Sequence, residues 1–183
     1  PLAPSLAYSE QLDLRVGEHE VRLVHARGET DDHTWVFIPA ARVLCTGDLF
    51  IWAAPNAGNP QKVQRYAIEW ATALRRMASL EPEFLLPGHG LPVIGASRVR
   101  EALLDTADYL ESLYSQTLAA MNQGATIYEI LERVRPPAEL AAKPLPVRRT
   151  GRVAAPHHGD GVADILHKDE QDNTDDQQQW NCL

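Results

Sequence analysis

The chain has 183 residues, 44% of them hydrophobic and 23% charged, the make-up of a globular protein with a sizeable core. The net charge of −8 is concentrated: from Asp160 onward, Asp160, Asp164, Asp169, Glu170, Asp172, Asp175 and Asp176 face only Lys168, and the remainder is near neutral. The absence of a basic stripe argues against nucleic-acid binding, and no stretch is long and apolar enough for a membrane span. The two cysteines make no disulfide framework; Cys45 sits in an apolar strand and reads as a small buried hydrophobe, Cys182 in a polar tail. No signal-peptide pattern opens the chain, which favours a cytoplasmic setting, and Pro1 in place of methionine marks a fragment or a processed product.

Residues 11–16 and 20–26 alternate apolar and polar around Gly17, a hairpin pattern. Thr34–Ile38 and Arg42–Thr46 repeat it around Pro39. Four short antiparallel strands are therefore expected to lead to Asp48. The period then changes. Asn59-Pro60 has the form of a helix start, with an N-cap and a proline at the first position. Val63, Tyr66, Ala67, Trp70, Leu74 and Met77 make one apolar face to about Ser79. Glu83–Leu86 returns as a strand, and the helix is expected to pack on the sheet.

A long helix is expected from about Ala96. Leu103, Ala107, Leu110, Tyr114, Thr117 and Met121 form a seam along it, either an oligomer contact or the face that docks on the sheet. Gly124 is the expected C-cap. Thr126-Ile127-Tyr128-Glu129 fits a capping box that opens a further short helix, stopped at Pro136-Pro137. Residues 146–183 lose all periodicity and become polar and low in complexity, the signature of disorder. His157, His158, Asp160 and His167 in that tail are read as adventitious metal binders at most.

Three side chains stand just after apolar strands: Glu29 after Val21–His25, Asp48 after Arg42–Cys45, and His89 after Phe84–Leu86. Two carboxylates and an imidazole at neighbouring strand ends are what a hydrolytic zinc site needs. The Thr46-Gly47 step lets backbone approach closely at Asp48, and His89 lies between Gly88 and Gly90. A turn-capping role is the alternative for each. Asp32 and His33 crowd the same loop as Glu29 and are candidates to fix a ligand carboxylate from behind. Trp35, Trp52 and Trp70 read as core or pocket wall, and His25 as an ordinary strand residue.

The run GETDDHTWVFIPAARVLCTGDLF (28–50) together with LLPGHG (85–90) resembles the second half of the metallo-β-lactamase-fold hydrolases, whose wording is a GHTPGH-type loop, then FTGD, then a Gly-His. The branch it resembles is that of the alkyl sulfatases, in which a glutamate replaces the histidine of the first loop. The spacing of 19 positions from Glu29 to Asp48 supports this. The resemblance covers roughly residues 8–145 and implies an α+β fold. Residues 8–95 would be the C-terminal half of an αββα sandwich. Residues 96–145 would be a helical segment like the start of the dimerisation region, and 146–183 a disordered tail. It implies Glu29 and His89 as terminal zinc ligands and Asp48 as the bridging, catalytic ligand of a two-zinc site.

The HxHxDH motif of that family, which supplies most of the remaining ligands, does not occur in these 183 residues, and PHHGDG does not replace it. A frameshift or truncated gene model would account for the foreign-looking ending. The implied activity is hydrolysis of a small-molecule sulfate ester by metal-activated water, with a homodimer contact through residues 96–135. Two alternatives stand beside it: a hydroxyacylglutathione-hydrolase-like thioesterase, and a non-catalytic half-domain that self-associates.

Overall fold

The structure is a computed structural model and describes residues 5–57 and 65–142. The expected disordered tail and its histidines, and the Asn59-Pro60 helix start, lie outside the described residues. The chain forms a six-stranded sheet in sequential order: β1 (Gln11–Val16), β2 (His19–Ala26), β3 (His33–Ile38), β4 (Val43–Gly47), β5 (Phe84–Pro87) and β6 (Val93–Ile94). Helix α1 (Ala67–Ser79) connects β4 to β5. Helices α2 (Ala96–Asn122), α3 (Ile127–Arg133) and α4 (Ala138–Ala142) follow. This is the α+β arrangement expected of a metallo-β-lactamase-type fold.

The first four strands pair antiparallel, whereas β4 and β5 pair parallel across α1. A parallel pair needs a crossover, and the apolar face of α1 supplies it. Trp70, Leu74 and Met77 are essentially fully buried, each contributing about 1.5–3 kcal/mol by burial. The helix stops where Glu81 turns to a positive φ of 49° and Pro82 follows.

Register separates the two faces of the sheet. Phe37, Leu44, Leu85 and Val93 form one cross-strand row, all buried beneath the helices. Leu12, Leu23, Val36, Cys45 and Leu86 form a second row on the other face, through the pairs Leu12↔Leu23, Leu23↔Val36, Val36↔Cys45 and Cys45↔Leu86. On that face Leu86 is 39% and Ile94 56% exposed. Alternation puts apolar side chains on both faces, but among the described residues the helices α1 and α2 pack on one of them.

The first half of α2 packs on α1, burying Val99, Ala102, Leu103, Ala107 and Leu110 in the common core. Its second half leaves Tyr114, Leu118 and Met121 exposed. Gly124, at φ 77°, lies one residue past the C-cap Gln123. There Ala125 N–H donates to Ala120 O (3.0 Å) and Gly124 N–H to Met121 O (2.9 Å), a Schellman ending. The capping box of Thr126 and Glu129 opens α3.

Two local expectations change. Arg65 and Tyr66 are not helical; α1 begins at Ala67. The reason is that Tyr66 N–H donates to Gly28 O at 2.9 Å, so the backbone there serves the β2–β3 loop. The short strand β6 and helix α4 had no clear period in sequence; two and five residues are too few to show one.

Candidate metal-ligand cluster at one edge of the sheet

Two reversals of the chain, at β2–β3 and β3–β4, make β2 and β4 run the same way, and β5 is parallel to β4. The C-terminal ends of β2, β4 and β5 therefore lie along one edge, where Glu29, Asp48 and His89 leave the sheet. His33 begins β3 at that same edge. Side chains gathered at the ends of co-directional strands are the usual way an α/β sheet builds a site.

Strands β4 and β5 bring Asp48 and His89 together. Gly47 pairs with Pro87, the register slips between Cys45 and Gly47, and Gly88 N–H donates to Gly47 O at 2.9 Å. The slip ends the ladder and turns the next residues out of the sheet. His89 Nε2 then approaches Asp48 Oδ1 to 3.4 Å. Both side chains are accessible, His89 at 64% and Asp48 at 40%. At 3.4 Å the two are neighbours and not a short hydrogen bond, a separation that suits two ligands of one ion.

Three tight approaches hold the cluster. A Cβ on Gly88 would meet Asp48 Oδ1 at 2.2 Å, and a Cβ on Gly47 would meet His33 Nε2 at 2.6 Å. His33 thus lies over the backbone step that precedes Asp48. A Cβ on Gly28 would meet Leu49 Cδ2 at 2.4 Å, so the loop bearing Glu29 packs on the residue after Asp48. Buried Trp70 fixes Leu49 in turn, its Nε1–H donating to Leu49 O at 2.7 Å. Trp52 borders the His89 side, in contact with Gly90 and donating its Nε1–H to Leu91 O.

Glu29 is differently engaged. Its Oε1 accepts from Nη1 of Arg65, whose side chain is only 9% exposed. Asp32 is exposed on the loop. His25, read as an ordinary strand residue, has its Nε2 2.9 Å from Asp31 O and braces that loop. Arg65 carries no signal in sequence, because its partner lies 36 positions away.

Among the described residues, no three of His, Cys, Asp and Glu come together as a metal-holding group. Zinc takes three or four protein ligands. Asp48 and His89 offer two, with Glu29 tied to Arg65, so the described residues do not by themselves fit a zinc ion.

Residues 4–89 match the metallo-beta-lactamase superfamily. That match takes in just under half of the chain, which resembles the alkylsulfatase branch of the superfamily. It is 28% identical over 144 residues to a linear primary-alkylsulfatase of Pseudomonas sp. and 34% identical over 115 residues to an (R)-specific secondary-alkylsulfatase of Pseudomonas sp.. Those matches take in 76% and 59% of this chain but only 27% and 17% of the relatives. The solved structure of the stereoselective inverting sec-alkylsulfatase Pisa1 from Pseudomonas sp. superposes with a TM-score of 0.67 at 27% identity. That alignment covers 75% of this chain and 23% of that one. The chain spans about a quarter or less of the alkylsulfatases it matches.

Proposed function

We propose that this chain is the ligand-bearing C-terminal half of an alkylsulfatase-like hydrolase, with residues 8–95 forming the half-domain and 96–145 the start of a helical segment. The single observation that carries the reading is the 3.4 Å approach of Asp48 and His89 at the ends of two parallel strands. In this reading Glu29 and His89 are terminal ligands, Asp48 is the bridge, and His33 and Asp32 back them. The superfamily generally binds zinc, which supplies activation of water in such hydrolases. The described residues hold two donors in place, so the remaining donors must come from an HxHxDH-bearing segment.

What the chain's own residues contribute is orientation. Gly88 and Gly47 let the Asp48 and His89 backbones close up, and His33 and Trp52 flank the pair. The substrate in this reading is an alkyl sulfate ester, after the two alkylsulfatases it resembles. The test is co-expression with a polypeptide carrying the HxHxDH half, followed by an assay for sulfate release from primary and secondary alkyl sulfates. Release lost in Asp48→Ala supports the proposal. Zinc uptake without sulfate release, but with thioester cleavage, would favour the thioesterase alternative.

A second reading has its own observation. The row Leu12, Leu23, Val36, Cys45 and Leu86 lies on the sheet face opposite α1 and α2, on which no helix packs among the described residues, and exposed Phe84 and Ile94 extend the apolar surface. Uncovered apolar surface of this kind drives association. Alone, the chain would then act as a self-associating half-domain. Exposed Tyr114, Met121, Ile127 and Tyr128 on α2 and α3 offer a separate homodimer contact within residues 96–135. Sedimentation of the purified chain tests this reading, and a monomer at micromolar concentration counts against it.

A further inference from the structure

Helix α1 and strands β2 and β3 border a cleft of about 330 Å³ that Glu29, Asp48 and His89 do not line. Its inner wall is Ala26, Trp35 and Ala73, all buried. The two alanines, one on the strand and one on the helix, carry only a methyl group, which leaves the space. Glu69, Thr72, Ala73 and Arg76 recur at helical spacing, so one face of α1 forms a side of the cleft. A volume at the small end of the range for ligand sites takes an anionic group with a few carbon atoms behind it.

Two guanidiniums reach this cleft from different elements. Arg27, just past β2, lies over the Tyr66 ring, 5.3 Å from its centre. Arg76, on α1, lies over the Trp35 ring at 5.7 Å and donates to Gln11 Oε1 at 3.3 Å. Among the described residues neither forms an ion pair with a carboxylate. A ring face holds a guanidinium in position without consuming its five N–H donors. His25 also lines the cleft, but its Nε2 stands 2.9 Å from the Asp31 carbonyl, which can only accept, so the imidazole N–H is committed to the loop. The charge of the cleft is therefore set by Arg27 and Arg76 against Glu69, an excess of positive charge.

We propose that this cleft binds a small organic molecule through an oxyanion group, a sulfate, phosphate or carboxylate. Arg27 and Arg76 are the partners of the oxyanion, and the apolar wall takes its carbon part. Charge-assisted hydrogen bonds from a guanidinium to an oxyanion are stronger than the exposed ring contacts they would supplement or replace. Glu69 is the like charge in the cleft and weakens the binding of any anion there. The inference uses neither the Asp48–His89 pair nor a metal, and so stands apart from the hydrolase reading.

The test is a titration of the full chain, in chelator, with phenyl phosphate and separately with inorganic phosphate, followed by the backbone amide resonances of residues 25–27 and 69–76. Phenyl phosphate is expected to half-saturate below about 1 mM and to bind at least about tenfold more tightly than inorganic phosphate. Arg27→Gln and Arg76→Gln should each weaken it at least about tenfold, and Glu69→Gln should tighten it several-fold. All three residues are exposed, so the variants should keep the wild-type circular dichroism spectrum and the remaining amide shifts, which checks their folding. Equal binding of the two probes, shifts confined to other residues, or binding unchanged in the variant that combines Arg27→Gln with Arg76→Gln overturns the inference.

Discussion

Gly88 lies directly against Asp48: a Cβ at residue 88 would stand 2.2 Å from the carboxylate Oδ1, 2.8 Å from the Gly47 carbonyl carbon and 3.0 Å from the Asp48 nitrogen. Two of those three atoms are backbone and cannot swing aside. Gly88→Ala is therefore expected to push Asp48 and His89 apart and to cost about 1–3 kcal/mol as overpacking. Thermal unfolding and the His89 ring resonances in NMR spectra of the variant check both effects, and a variant with wild-type values for each would remove Gly88 from the site.

Gly47 meets a double constraint. Its φ is +52°, a conformation that costs an ordinary L-residue roughly 1–2 kcal/mol, and a methyl there would strike His33 Nε2. Gly47→Ala should lower stability by at least that strain and shift the His33 ring resonances in NMR spectra. An unmoved His33 would mean that the ring does not brace the strand end before Asp48.

Trp70 links the core to the cluster through its hydrogen bond to Leu49 O. Trp70→Phe keeps much of the apolar surface and deletes the donor, leaving a buried carbonyl unsatisfied at a cost of about 1–3 kcal/mol. Trp70→Ala adds a cavity and should cost about 3–5 kcal/mol. Denaturant unfolding curves of the two variants separate the bond from the packing. A Trp70→Phe variant as stable as the wild type would show that the hydrogen bond contributes nothing measurable.

The pH dependence of α3 follows from its cap. The backbone N–H of Thr126, then its hydroxyl, hold the Glu129 carboxyl below its ordinary value of 4.5, with Arg133 adding to the effect. A depressed carboxyl contributes stability in full above that ordinary value and loses it as pH falls through the lower folded value. Helix α3 should thus keep its capping box at neutral pH and fray in acid. Amide exchange at Ile127–Arg133, measured from pH 6 to 3, should rise beyond its intrinsic trend, and Glu129→Gln should flatten that rise.

The open sheet face makes a further prediction. Leu23→Lys with Leu86→Lys places two charges in one apolar cross-strand row without touching the helix-covered core. Under the self-association reading the double variant should sediment as a smaller species with an unchanged circular dichroism spectrum. Burial pushes the Cys45 thiol, in the same row, above its ordinary value, so it should alkylate slowly at neutral pH in a Cys182→Ser background. Alkylation of the unmutated row that speeds up on dilution would show that association covers it.

Much of this protein was legible before any coordinates, because its signals are local. Strand alternation, the Thr126–Glu129 box, the glycine past α2 and the residues placed after each apolar run all depend on neighbours within a few positions. The superfamily resemblance was carried by the same short stretches. Tertiary structure alone decided which of those residues meet. Asp48 and His89 are 41 positions apart in sequence and become neighbours only because α1 returns the chain parallel to β4. Arg65 takes Glu29 across 36 positions, a pairing no spacing rule encodes, and in doing so draws Tyr66 out of the helix that its apolar period had suggested. The seam on α2 shows the same division: periodicity defined one stripe, but only packing against α1 determined that Leu103, Ala107 and Leu110 are buried while Tyr114 and Met121 are exposed. Local pattern sets what each residue can do, and long-range contact sets the charge and the neighbour that decide whether it does so.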